Sequence, residues 1–155
     1  MSNIIMLLSI LSGTYTILTI INTMTGVAMS QSLLGRISLA FLFIFTGIGH
    51  FLMPEGMAQM LPDFVPLRVE IIYASGIFEI LAGIALVVPR LSRLTAIVLI
   101  LFLIAILPSN IYAAFARIDF GGHEAGPVYL LVRVPLQLLF IGWAYYFGIH
   151  RNESD

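Results

Sequence analysis

Ser75-Gly76-Ile77-Phe78-Glu79-Ile80-Leu81-Ala82-Gly83 places one carboxylate near the middle of an apolar run long enough to cross a bilayer. An ionisable group at such a depth costs about 2.5–3.5 kcal/mol on insertion scales, so Glu79 is expected to face a polar interior and not lipid. Gly76 and Gly83 leave room on either side of it for a neighbouring helix. The fold and the chemistry both turn on what meets Glu79.

The rest of the chain points to the same solvent. Of 155 residues, 60% are apolar and 10% charged, and the mean hydropathy is +1.06. A soluble domain is nearer to about 45–50% apolar and about 25% charged. One compact all-α unit in lipid is expected. A net charge of −1 offers no basic face for phosphates, which argues against nucleic acid as a partner. The absence of cysteine excludes disulfides, thiolate metal sites and thiol–disulfide chemistry. No lysine or arginine precedes the apolar run at 4–29, and that run is longer than a signal-peptide core, so a retained membrane segment is expected there.

Five crossings follow, at about 4–28, 33–53, 67–88, 94–116 and 128–147. The first is unusually rich in Ser, Thr and Asn, which suits either packing against another helix or a peripheral position. The second ends in Thr46-Gly47-Ile48-Gly49-His50-Phe51, whose two glycines should let a neighbour approach His50. The proline-punctuated link 54–66 suits an interfacial helix or a lid over a cavity. Pro108-Ser109-Asn110 interrupts the fourth segment, where Asn110 is expected to satisfy backbone near the proline. A glycine-rich loop, 117–127, carries His123 and Glu124; adjacent residues make poor metal ligands, and no metal site is expected. Trp143, Tyr145 and Tyr146 read as an interface anchor.

With five crossings the ends of the chain lie on opposite sides. Arg36, Arg90, Arg93 and Arg151 collect at the C-terminal side, which positive-inside counting places in the cytoplasm. At about 1.5 Å per residue, His50, Glu79, Asn110, Arg133 and Gln137 then differ in depth by no more than roughly 15 Å. They are expected to meet in the outer half of the bundle. Each has a plainer reading. Glu79 is either a structural carboxylate paired with Arg133 or His50, or a proton carrier. His50 is an interface histidine or its proton partner. Arg133 points inward or snorkels out.

Phe45 to Phe51, Met60-Leu61-Pro62, Ser75 to Ile80, Pro89 to Arg93, Pro108 to Tyr112 and Arg133-Val134-Pro135-Leu136-Gln137 together, in this order, resemble the DoxX family of small bacterial membrane proteins. The resemblance covers about 33–147. It implies a four-helix membrane bundle over 33–149 in the bacterial inner membrane, an added transmembrane segment over 1–32 and a polar tail over 150–155. It also implies a redox setting in which related subunits act on quinones.

The expected function is therefore an outer-half polar pocket for a small hydrophobic redox molecule of quinone type. Glu79 and His50 would handle protons there, and Arg133, Asn110 and Gln137 would bind the ligand. No metal, nucleotide or other cofactor motif is visible, so electrons would come from a membrane or redox partner protein. A homo-oligomer is a second possible association. The competing expectation is a non-enzymatic scaffold or assembly subunit whose polar cluster is interhelical glue. A small-molecule transporter is the weaker third, since no inverted repeat is evident.

Overall fold

The computed structural model describes residues 2–151 and is all-helical, with no strand among them. The helices are α1 (Ser2–Thr25), α2 (Gln31–Leu52), a short α3 (Pro54–Ala58), α4 (Arg68–Val87), α5 (Ser92–Phe115) and α6 (Leu130–Tyr145). A 3₁₀ turn, His123–Tyr129, leads into α6, and a π turn, Tyr146–His150, follows it. Five spans are long and apolar enough to cross a membrane, the last running from His123 to His150. The tail expected at 150–155 lies, beyond residue 151, outside the described residues.

α2 starts two residues earlier than the hydropathy suggests. Ser30 caps it, its hydroxyl accepting the Leu33 N–H at 3.2 Å, and so draws Gln31 and Ser32 into the first turn. Pro54 then opens α3, at a first helical position where a missing N–H costs nothing.

The tightest packing is between α2 and α4, which run antiparallel. A Cβ built on Gly47 would lie 2.9 Å from the Gly76 carbonyl oxygen, and one on Gly76 would lie 3.0 Å from that of Gly47. One heptad along, Gly83 meets the Ala40 carbonyl oxygen at 3.0 Å. Backbone touches backbone at these crossings, and no methyl group fits between. Gly49 plays no such part: its nearest neighbour would be the Met57 Cε at 3.7 Å.

α2 is the central helix, with 56% of its apolar window buried, against 11% for α1. α1 therefore lies at the periphery. Its inward stripe is Ile4, Leu7, Leu11, Tyr15, Leu18 and Asn22, spaced at three and four residues. The hydroxyls of Ser12, Thr16 and Thr25 return to their own helix, bonding the carbonyls of Leu8, Ser12 and Ile21 four residues back. Those three residues are exposed, and their hydroxyls are satisfied within α1 itself. Polar contact with the bundle runs instead through Tyr15, whose hydroxyl donates to Gln31 Oε1 at 2.7 Å. At the corner into α2, the Asn22 amide pairs with the backbone of Met29 in both directions, at 3.0 and 3.1 Å.

Two expectations need correction here. Trp143 is not an interface anchor: its indole N–H donates to the Gly35 carbonyl of α2 at 3.0 Å, and its ring packs on Tyr15 and Phe147. Tyr145 and Tyr146 remain exposed. The loop 117–127 is not all loop, because its second half coils into the 3₁₀ turn and carries His123 inside.

Candidate functional site

A cavity of about 460 Å³ opens inside the bundle at the end where α2 and α5 finish and α4 and α6 begin. Its walls are largely apolar, with Phe43 from α2, Phe102 and Ile106 from α5, and Phe140 from α6. Met57, Met60 and Leu61 of the 54–66 link also line it. The first turns of α1, at Asn3, Ile4, Met6 and Leu7, complete one side.

All five side chains singled out in the sequence line this one space: His50, Glu79, Asn110, Arg133 and Gln137. They arrive from four helices, in keeping with their similar depths. Their pairings differ from the expected ones.

Glu79 is 5% exposed. The Thr46 hydroxyl, from the facing turn of α2, donates to Glu79 Oε2 at 2.7 Å. On the other oxygen, Oε1 faces His50 Nε2 at 3.7 Å. Of the two basic partners expected for Glu79, the structure therefore supplies His50, and Arg133 bonds elsewhere.

The His50 ring is fixed from behind. Nδ1 lies 3.0 Å from the Ile72 carbonyl and 2.8 Å from Ser75 Oγ, whose own proton goes to Ile72 O at 2.8 Å. A carbonyl oxygen only accepts, so Nδ1 carries the hydrogen and the neutral ring turns the Nε2 lone pair towards Glu79. The pair can therefore be written as imidazole with carboxylic acid or as imidazolium with carboxylate. A separation of 3.7 Å is too long for a direct hydrogen bond. Transfer between the two forms needs a side-chain rotation or an atom placed between them.

Arg133 turns inward and does not snorkel. Its Nε donates to Asn110 Oδ1 at 3.3 Å, while Asn110 Nδ2 donates to the Ile106 carbonyl at 3.2 Å. Asn110 thus links α5 to α6. The carbonyl it satisfies is that of Ile106, whereas the acceptor deprived of its partner by Pro108 is Ile104, four residues before the proline. Gln137 Nε2 donates across the bundle to the Leu103 carbonyl.

Sequence reasoning misses three residues that the cavity includes. Thr46 and Ser75 escape it because hydroxyls in membrane helices usually bond to their own backbone, and both do so here as well. His123 reads as a loop residue, yet it is 2% exposed and lines the same cavity. Its signal is the pair of glycines before it: Gly121 and Gly122 have φ of +68° and +105°, the left-handed region that lets the chain fold straight back. Glu124, its neighbour, stays outside and exposed.

A family model described as "Domain of unknown function (DUF8561)" matches residues 39–148. The match leaves out α1 and takes in every cavity residue from Leu42 to Phe140. No curated protein and no solved structure matches the chain.

Proposed function

Because the chain belongs to this family, described only as a domain of unknown function (DUF8561), we propose a function from the cavity itself: a membrane site for a small hydrophobic redox molecule of quinone type. The observation that carries the reading is the lining, an apolar slot of about 460 Å³ with a carboxylate–imidazole pair on one wall and Arg133, Asn110 and Gln137 on the other. Its size falls within the range of sites that take drug-sized ligands. A planar ring carrying two oxygens needs apolar walls and a few convergent polar groups.

Arg133 is the donor suited to a ligand oxygen, and Asn110 holds its guanidinium in place. Glu79 and His50 supply or remove protons, which a quinone takes up with its two electrons. The electrons come from a partner protein. The wider setting, a DoxX-like bundle in a bacterial inner membrane with a cytoplasmic C-terminus, rests on the ordered motifs and the arginine distribution.

The test is ligand-dependent stabilisation of the purified chain in nanodiscs. A short-chain benzoquinone or naphthoquinone should raise the thermal midpoint in a saturable way, and Glu79→Gln should weaken that effect while leaving the protein folded. An unchanged midpoint, or full binding by Glu79→Gln, would sink the reading. If Glu79→Gln unfolds and no ligand binds, the scaffold reading takes its place.

A further inference from the structure

Two residues that line the cavity each hold a buried acceptor without a donor. The first is His123. Its Nδ1 lies 2.8 Å from the Phe120 carbonyl, so that nitrogen carries the hydrogen and Nε2 of the neutral ring is a lone pair. Nε2 is buried and has no hydrogen-bond partner. The ring cannot swing away easily. It packs edge-on against Tyr129, with centroids 4.8 Å apart, and the Tyr129 hydroxyl ties the loop shut by donating to Gly121 O at 2.7 Å. Gly122 lies against the same tyrosine, where a Cβ would come within 2.7 Å of its ring.

The second is Gln137, 4% exposed. Only its NH₂ group can face the Leu103 carbonyl, so Oε1 points the other way, and it too is buried without a partner. A buried acceptor left in this state has given up its water without gaining a donor, which is costly. His123 lies on the turn that enters α6, and Gln137 about two turns into that helix. Two residues of the lining therefore carry unmet acceptors at different depths, buried behind its surface, with Arg133 between them in sequence.

A quinone has two carbonyl oxygens and no donor, and it can satisfy neither acceptor. Its reduced form has two hydroxyls on opposite edges of the ring. Building on the redox-ligand reading above, we propose that the cavity selects the dihydroxy, hydroquinone form, with His123 Nε2 and Gln137 Oε1 accepting from its hydroxyls. His123 becomes a specificity-determining residue of the site.

The experiment compares three ligands of one skeleton on the full chain in nanodiscs without oxygen: a short-chain hydroquinone, its quinone, and its bis-methyl ether, which keeps the shape and lacks the donors. Calorimetric titration should show the hydroquinone binding about tenfold or more tightly than either of the others, the worth of one hydrogen bond. His123→Phe keeps a ring against Tyr129 and removes the acceptor, and Gln137→Met removes the deeper one together with the bond to the Leu103 carbonyl. Each should cut hydroquinone affinity about tenfold, and His123→Phe should leave quinone affinity unchanged. Equal or tighter quinone binding overturns the selectivity but leaves the redox-ligand reading standing. If none of the three binds, both fall. Tight binding of the ether would likewise overturn the donor argument, and the three-ligand comparison holds even if one variant fails to fold.

Discussion

The Thr46 hydroxyl does two things in the same place. It shares its proton among the Leu42 carbonyl, the Phe43 carbonyl and Glu79, and the carboxylate contact is the shortest at 2.7 Å. Thr46→Val keeps the shape and removes the donor, leaving one carboxylate oxygen unmet in an apolar wall. A loss of about 1–2 kcal/mol is expected, measured by denaturant unfolding in mild detergent. Trp143→Phe makes a useful contrast far from the cavity. It keeps a ring against Tyr15 and Phe147 but drops the bond to Gly35 O, for about 1 kcal/mol, and ligand binding should not change. Residues of these two kinds differ in how far the sequence reveals them. Glu79 stands out because it is the one ionisable side chain in the apolar middle of its segment. Thr46 does not, since a threonine in a membrane helix has a ready local use for its hydroxyl. His123 is hidden by tertiary closure, because only the folding back of the Gly121–Gly122 turn separates it from its exposed neighbour Glu124.

At the scale of elements, the glycines divide by what lies opposite them. Gly47 and Gly76 face each other's carbonyl oxygens, which cannot step aside. Gly47→Ala or Gly76→Ala should cost about 1–3 kcal/mol through forced separation of α2 from α4, and should weaken ligand binding by displacing Glu79 from Thr46 and His50. Gly13 and Gly142 have nothing within 4 Å, so Gly13→Ala or Gly142→Ala should be neutral or stabilise by up to about 1 kcal/mol. Chemical unfolding of the four variants side by side would check the contrast. The helices themselves are legible from hydropathy alone, and their ends fall within a few residues of the expected ones. Which glycines matter is not legible, since Gly47 and Gly49 look alike in sequence and differ only in the rotation of α2. The same limit applies to α1, where a hydroxyl facing a neighbour and one bonded to its own helix are written with the same letters.

At the scale of the molecule, the alternating helices place the 54–66 link, the 116–122 segment and the start of α1 at the cavity end, and the 26–30 and 88–91 links at the other. The arginine count predicts that the cavity end faces away from the cytoplasm. The chain has no cysteine, so single-cysteine labelling can test this without background. In intact spheroplasts a membrane-impermeant maleimide should label Asp63→Cys at once and Arg90→Cys only after permeabilisation. Both positions are exposed. The reverse pattern would invert the topology and turn the cavity towards the cytoplasm.

The backbone contact between α2 and α4 also has a mechanical meaning. Two helices locked carbonyl to glycine have no slack, so the wall that carries Thr46, His50 and Glu79 behaves as a stiff beam. Across the cavity, α5 and α6 each contain a proline, Pro108 and Pro135, and each lacks one rung of its hydrogen-bond ladder there. A larger ring or a bulkier substituent should therefore be accommodated by flexing of the proline-bearing helices. The carboxylate–imidazole geometry would stay constant from one ligand to the next.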